Sequence, residues 1–265
     1  MRRLEPSFHK RIWGATDLAP WFPKEFPKEF PGAPVQAGSE PIGEVWFETH
    51  EVPLLVKFLF TREKLSVQVH PDDGYARLHH NSPGKTEMWH VLAAEPGARI
   101  AAGFRESITK DRAREAALTG EIEHLLEWHP AAPGDTFFIP AGTVHAIGAG
   151  LTICEIQQRS DITYRLYDYG RGRELHLDHA LAVSHLWPHQ ARREPPVSCG
   201  HFVTESATGP VALPATRGPA LLIVIGGSGQ VNGCDTRPGD VWLTDSQVTE
   251  TTGKLSILRT QVPLR

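Results

Sequence analysis

In Ser66-Val67-Gln68-Val69-His70, alternation along a strand puts Ser66, Gln68 and His70 on one face and Val67 and Val69 on the other. The valine face suits a core, and the polar face would then line a cavity. An edge strand with a solvated polar face reads the same way. Further on, Glu87 opens an otherwise apolar strand in Gly84-Lys85-Thr86-Glu87-Met88-Trp89-His90, where a solvated carboxylate is the ordinary alternative. His145 sits in Pro140-Ala141-Gly142-Thr143-Val144-His145-Ala146-Ile147-Gly148, whose small residues leave room around an imidazole. It could equally be a satisfied core histidine. Taken together, Gln68, His70, Glu87 and His145 supply two imidazole nitrogens and two oxygen donors. That mixed set suits Zn²⁺, and also Mn²⁺, Fe²⁺ or Co²⁺. With no thiolate and with room for water, such a site is catalytic in kind rather than closed and structural.

The elements that must hold these groups are mostly strands. Glycine and proline punctuate the chain, and between them 54–60, 65–69, 88–92, 136–139, 151–156, 221–225 and 241–244 are short runs rich in β-branched and aromatic residues. Many short strands with frequent turns predict a barrel or jelly roll. Residues 109–128 have helical apolar spacing broken at Gly120, which predicts two short helices, and 179–186 predicts another. Pro71-Asp72-Asp73-Gly74 reads as a turn, the tandem Pro-Lys-Glu-Phe of Trp21 to Pro34 as a surface loop, and Pro188 to Ser198 as a linker. Pro133-Gly134-Asp135 before one strand echoes Pro238-Gly239-Asp240 before another. The prediction is two β-domains, 1–190 carrying the metal ligands and a smaller 191–265 with a structural role.

Composition limits the function classes. The chain has 265 residues, 40% of them hydrophobic, and a net charge of −4, which gives no footprint for nucleic acid or an anionic membrane surface. Its start lacks an apolar signal core, and its apolar runs are too short to span a bilayer. Three cysteines without Cys-x-x-Cys spacing fit a reducing, cytoplasmic compartment.

The sequence resembles the class I mannose-6-phosphate isomerases of the cupin superfamily, in their short bacterial form. The resemblance runs through Trp13-Gly14, Ile42-Gly43-Glu44-Val45-Trp46, Leu65 to Asp73, Gly84-Lys85-Thr86-Glu87, Gly134 to Gly148, Glu155-Ile156-Gln157-Gln158 and Thr163 to Asp168, in order across most of residues 1–180. The part after 190 is similar only loosely, Trp21 to Pro34 looks like an insertion, and His90 stands where an aromatic such as Tyr belongs, altering the pocket wall.

The resemblance implies a mainly β fold of two cupin jelly-roll barrels with a few short helices, as monomer or homodimer. It implies one Zn²⁺, or another divalent metal, on Gln68, His70, Glu87 and His145. It makes Arg165 an active-site residue, places Lys85 and Glu155 in the pocket with Lys57 nearby, and matches Ser66 and Arg171 to the substrate phosphate. The implied reaction interconverts mannose 6-phosphate and fructose 6-phosphate through a metal-stabilised enediol(ate). Arg165 suits the enediolate oxygens rather than the base role, because guanidinium stays protonated; Glu155 and Lys85 are candidate bases. An isomerase of an unphosphorylated sugar and a non-catalytic sugar- or metal-binding cupin are the rival readings.

Overall fold

The structure is a computed structural model that describes residues 1–23 and 40–263. Two compact units divide the chain, one of residues 61–193 and one of residues 1–60 together with 194–265. The division expected near 190 therefore has a second crossing after residue 60. The first sixty residues group with the C-terminal segment rather than with the candidate ligands. Contacts between segments distant in sequence explain this. Arg2–Arg3 pairs with Val241–Thr244, Leu4 donates its N–H to the Val241 carbonyl at 2.8 Å, and Trp21 Nε1 donates to the Ile225 carbonyl at 3.0 Å.

Within residues 61–193 lies a five-stranded antiparallel sheet in the order Tyr164–Tyr167, Val67–Val69, His145–Ile147, Arg99–Phe104, Leu126–Pro130. One face is apolar. Val67, Val69, Val144, Ala146, Tyr164 and Leu166 pack with Ala113, Ala116 and Ala117 of the helix Lys110–Thr119 and with Ala180 and Leu181 of the helix Leu177–Val183. Small alanines let the helices lie close, and that fixes which face of each strand is left for chemistry. A second antiparallel run in this unit joins Arg192–Arg193, Thr136–Ile139, Glu87–Ala94 and Leu151–Gln158.

Residues 1–60 and 194–265 hold a sheet ordered Arg2–Arg3, Val241–Thr244, Ala220–Val231, Thr249–Gln261, Val203–Thr208, Val197–Ser198, and an antiparallel meander of Ser7–Ala15, Ile42–Phe47 and Leu54–Thr61. Phe22 is buried and meets Phe8, Phe58 and Phe60 edge-on. Trp21 and Phe22 are thus core residues, not part of a surface loop. The rest of that segment, 24–34, lies outside the described residues.

The two Pro-Gly-Asp turns are the same device. Gly134 and Gly239 both have φ of 94°, in the left-handed region that favours glycine. Gly134 N–H donates to the Val91 carbonyl and Gly239 N–H to the Val224 carbonyl, while Val91 and Val224 donate back to Asp135 and Asp240. The following ladders share one register: Glu87 faces Ile139, and four residues before Val224, Ala220 faces Thr244. Each unit therefore contains one copy of a common β-motif, and the second copy has an alanine where the first has Glu87.

Helix ends depart from the sequence reading in two places. Asp72 caps a helix Asp73–His80, its side chain accepting from Tyr75 N–H, so the expected turn is a helix start. The helical pattern of 109–128 breaks at Gly120 as expected, with φ of 85°, but Leu126 already begins the strand Leu126–Pro130.

The aromatic cluster around Phe22 generates a stability prediction. Phe22→Ala should lower unfolding free energy in denaturant titration by about 3–5 kcal/mol. A change under about 1 kcal/mol would mean the cluster relaxes to fill the space.

Candidate active site

The face opposite the apolar cluster carries the polar residues. Gln68 sits directly opposite His145 on one side and Arg165 on the other. Directly opposed residues in an antiparallel pair share a face, so the three form one row across the sheet. Glu87 comes from the other run, where Glu87 is opposite Gln157 and Trp89 is opposite Glu155. Two glycines allow the approach. A Cβ on Gly84 would lie 2.5 Å from the Asp72 carbonyl carbon, so only glycine lets Lys85 and Glu87 run past the Asp72 turn; Lys85 N–H then donates to the Pro71 carbonyl at 2.9 Å. Gly142 has φ of 88°, and its N–H donates to the His70 carbonyl at 2.8 Å.

Three of the four expected ligands converge. His70, Glu87 and His145 are fully buried, with one ligand atom of each within 4.8 Å of the others. Glu87 Oε1 is 3.6 Å from Nε2 of both imidazoles. Donors around a tetrahedral zinc with bonds of roughly 2.0–2.2 Å lie roughly 3.4 Å apart, so the spacing fits an ion at their centre. Both tautomers are set for ligation. His70 Nδ1–H donates to the Ile162 carbonyl at 2.9 Å and His145 Nδ1–H to the Thr143 carbonyl at 2.8 Å, which leaves each Nε2 lone pair facing Glu87. Among the described residues neither Glu87 oxygen has a directed hydrogen bond; Lys85 pairs with Oε2, and Oε1, which faces the two imidazoles, is the acceptor that a cation would satisfy. Gln68 lies at the rim. Its Nε2 is 3.2 Å from His145 Nε2, and its Oε1 accepts from Ser66 Oγ at 3.3 Å. Half a turn of the amide exchanges the two atoms and presents the oxygen on the ligand side.

Lys85 supplies the positive charge nearest this group. Its Nζ is 2.6 Å from Glu87 Oε2, an ion pair without the geometry of a directed hydrogen bond, 3.0 Å from His70 Nε2 and 3.9 Å from Glu155 Oε1. Burial alone would lower the Lys85 pKa, but Glu155 and Glu87 outweigh it and raise it, so Lys85 is held charged. Burial alone would raise the Glu87 pKa, yet Lys85 and the two imidazoles hold it well below the carboxylate range. Burial pushes His70 down, with Lys85 adding to the effect, and lowers His145 from 6.5 to about 3. Both imidazoles are neutral at neutral pH. Glu155 is oriented by Trp89, whose Nε1–H donates to its Oε2 at 3.0 Å.

The remaining expected residues are placed differently. Arg165 is half-buried, with Nη1 donating to the Glu174 carbonyl at 3.4 Å. Arg171 is not brought to this cluster. Its Nη2 is 2.9 Å from Asp168 Oδ1, its Nη1 donates to the Lys64 carbonyl at 3.0 Å and its Nε to the Asp168 carbonyl at 3.2 Å. Lys57 belongs to the other unit, buried, with Nζ 4.1 Å from the centre of the Trp46 ring. His90 alternates with Trp89 and so points away from the Glu87 face, its Nδ1 2.9 Å from Thr136 Oγ1; it does not alter the pocket wall. Sequence reasoning gave no role to Trp89, Ile162 or Thr143. An aromatic at strand spacing from Glu87 could have signalled the first, whereas backbone carbonyls leave no mark in a sequence.

Known proteins resemble this chain in sequence and fold. Mannose-6-phosphate isomerase from Streptococcus mutans is 38% identical over 210 residues, 68% of this chain and 66% of that protein. A probable mannose-6-phosphate isomerase of Bacillus subtilis, GmuF, is 37% identical over 211 residues, 68% of this chain and 67% of its own length. The chain belongs to the mannose-6-phosphate isomerase family. The matched part spans about two thirds of the length of these relatives. The crystal structure of the mannose 6-phosphate isomerase from Bacillus subtilis superposes with a TM-score of 0.83 at 26% identity, covering 98% of this chain and 99% of that one. The fold is accordingly that of the cupin-type isomerases of this family. No protein-family model matches the chain.

The buried imidazole makes stability pH-dependent. Unfolded His145 titrates near ~6.5, and the folded form holds its proton only below about 3. Between these values the unfolded chain binds more protons, so stability falls as pH falls. Denaturant midpoints of the metal-free protein should drop steadily from about pH 6.5 toward about pH 3, and His145→Gln should flatten that slope. An unchanged slope in His145→Gln would show that other groups carry it.

Proposed function

We propose that the chain interconverts mannose 6-phosphate and fructose 6-phosphate, with His70, Glu87 and His145 holding one Zn²⁺ and Gln68 completing the set. The observation that carries this reading is the buried Glu87 carboxylate, 3.6 Å from two imidazole nitrogens whose tautomers are already correct. A divalent ion bound there supplies Lewis-acid polarisation of the sugar's carbonyl and hydroxyl oxygens.

The protein's own groups account for the rest. Glu155 takes the proton from C2 of the opened aldose; the electron pair forms the C1–C2 double bond, and O1 gains negative charge. A proton passes from the O2 hydroxyl to O1, and return of the carbon-bound proton to C1 then leaves the carbonyl at C2. Trp89 fixes the carboxylate that makes this transfer. Lys85 is held charged between Glu87 and Glu155, which makes it an electrostatic partner and proton donor rather than a base. Arg165, in the same row as Gln68 and His145, stabilises the enediolate oxygens. Ser66, bonded to Gln68, offers a hydroxyl to the phosphate end. Arg171 secures the 168–171 turn instead. The unit of residues 1–60 and 194–265 has a structural role, consistent with Ala220 at the position of Glu87. Three unpaired thiols, Cys154, Cys199 and Cys234, suit a reducing, cytoplasmic setting.

The test is a coupled assay for fructose 6-phosphate formation from mannose 6-phosphate. Activity should disappear on chelation and return with about one Zn²⁺ per chain. Activity that persists in metal-free protein would end the metal reading, and equal efficiency on free mannose would favour an unphosphorylated-sugar isomerase.

Arg165 has its own signature. Arg165→Ala should keep bound zinc and lower kcat by ~10²-fold or more, and Arg165→Lys should recover only part of the loss because an ammonium lacks the planar fork. Near-wild-type kcat in Arg165→Ala would remove it from the mechanism.

A further inference from the structure

We infer that Gln157 is a positioning residue that sets the tautomer of His70 through the turn at residues 158–162. Gln157 is fully buried and stands opposite Glu87 in the ladder. Its amide nitrogen donates to two backbone carbonyls of the following turn, those of Gln158 at 2.9 Å and of Ser160. The turn closes on itself, with Ser160 N–H donating to the Gln158 carbonyl at 2.7 Å. Two residues on, the Ile162 carbonyl accepts from His70 Nδ1–H at 2.9 Å. One side chain thus clamps the segment that presents the acceptor fixing His70.

The other end of the amide supports a role as donor. Gln157 Oε1 is buried with no hydrogen-bond partner among the described residues. An unpaired buried carbonyl is destabilising, and an apolar side chain of the same shape would avoid it. The two donors are therefore what the position requires. The consequence of losing them follows from the site. If the Ile162 carbonyl drifts from Nδ1, that nitrogen loses its acceptor, and Glu87 Oε1, 3.6 Å from Nε2, draws the proton there against Lys85 Nζ, which faces the same nitrogen at 3.0 Å. A proton on Nε2 occupies the lone pair that a metal needs.

The inference rests on the metal reading only for its consequence, and its test separates the two. Nitrogen-15 NMR of the histidine rings in metal-free protein reads each tautomer directly. Wild type should show both His70 and His145 protonated on Nδ1. In Gln157→Met, His70 should shift toward the Nε2–H form while His145, held by Thr143, stays as it is. Chelator competition should show zinc affinity reduced ~10–100-fold, the scale of losing an outer partner of a metal-ligating histidine. Gln157→Glu, which keeps the shape and removes the donors, should behave alike. An unshifted His70 in both variants would overturn the inference, as would Nε2–H in wild type, a shift of both imidazoles together, or failure of both variants to fold. A shifted His70 in a protein whose wild type binds no zinc would uphold it and refute the metal reading instead.

Discussion

A carboxylate with no solvent exposure and no directed hydrogen bond cannot stay ionised unless positive charge stands beside it. Glu87 is in that position, and the arrangement around it follows from the need. Lys85 provides one charge at 2.6 Å. Two neutral imidazoles turn their lone pairs toward the same point, and those are acceptors, not donors. Three electron-rich groups facing one another repel, and the Lys85 ammonium beside Glu87 and His70 offsets part of that repulsion. The sheet's apolar face is packed by alanine-rich helices, which directs Gln68 and His145 to the opposite face.

Local backbone chemistry converts that packing into a site. Gly84 lets the chain pass within van der Waals reach of the Asp72 turn, and Asp73 Oδ1 accepts from both Gly84 N–H and Gln158 Nε2 at 2.8 Å. The same Gln158 accepts from Thr86 N–H at 2.9 Å. Lys85 and Glu87, either side of Thr86, are thereby fixed to the turn that follows Glu155. Lys85, Glu87 and Glu155 are held by one set of hydrogen bonds, so a change in that turn should be felt by all three.

Much of this was legible in the sequence, for reasons that can be stated. Strand alternation at Ser66 to His70 identified the polar face because Val67 and Val69 are both core residues. The repeated Pro-Gly-Asp turns were visible because a left-handed glycine leaves a residue-type signature. The convergence of His70, Glu87 and His145 was readable from the three segments taken together and from the family resemblance, since each residue alone had an ordinary alternative. Other features were hidden. The helix Asp73–His80 has one buried residue, Ala76, so its periodicity is faint and its Asp72 cap looks like a turn. The grouping of residues 1–60 with 194–265 depends on pairings such as Arg2 with Leu243, which no local pattern announces. Arg171 was expected at the phosphate from its match to a family position, and its pairing with Asp168, three residues away, has no signal in residue type. The tautomers rest on the carbonyls of Ile162 and Thr143, which any residue could supply.

The central claim is that His70, Glu87 and His145 enclose a metal ion. A crystal structure of the zinc-loaded protein, with anomalous data collected either side of the zinc edge, tests it directly. The account predicts a single strong peak within ~2.0–2.2 Å of His70 Nε2, His145 Nε2 and a Glu87 oxygen. A zinc-saturated crystal with its peak elsewhere, or with Lys85 still paired to Glu87 and no peak between the imidazoles, would contradict it.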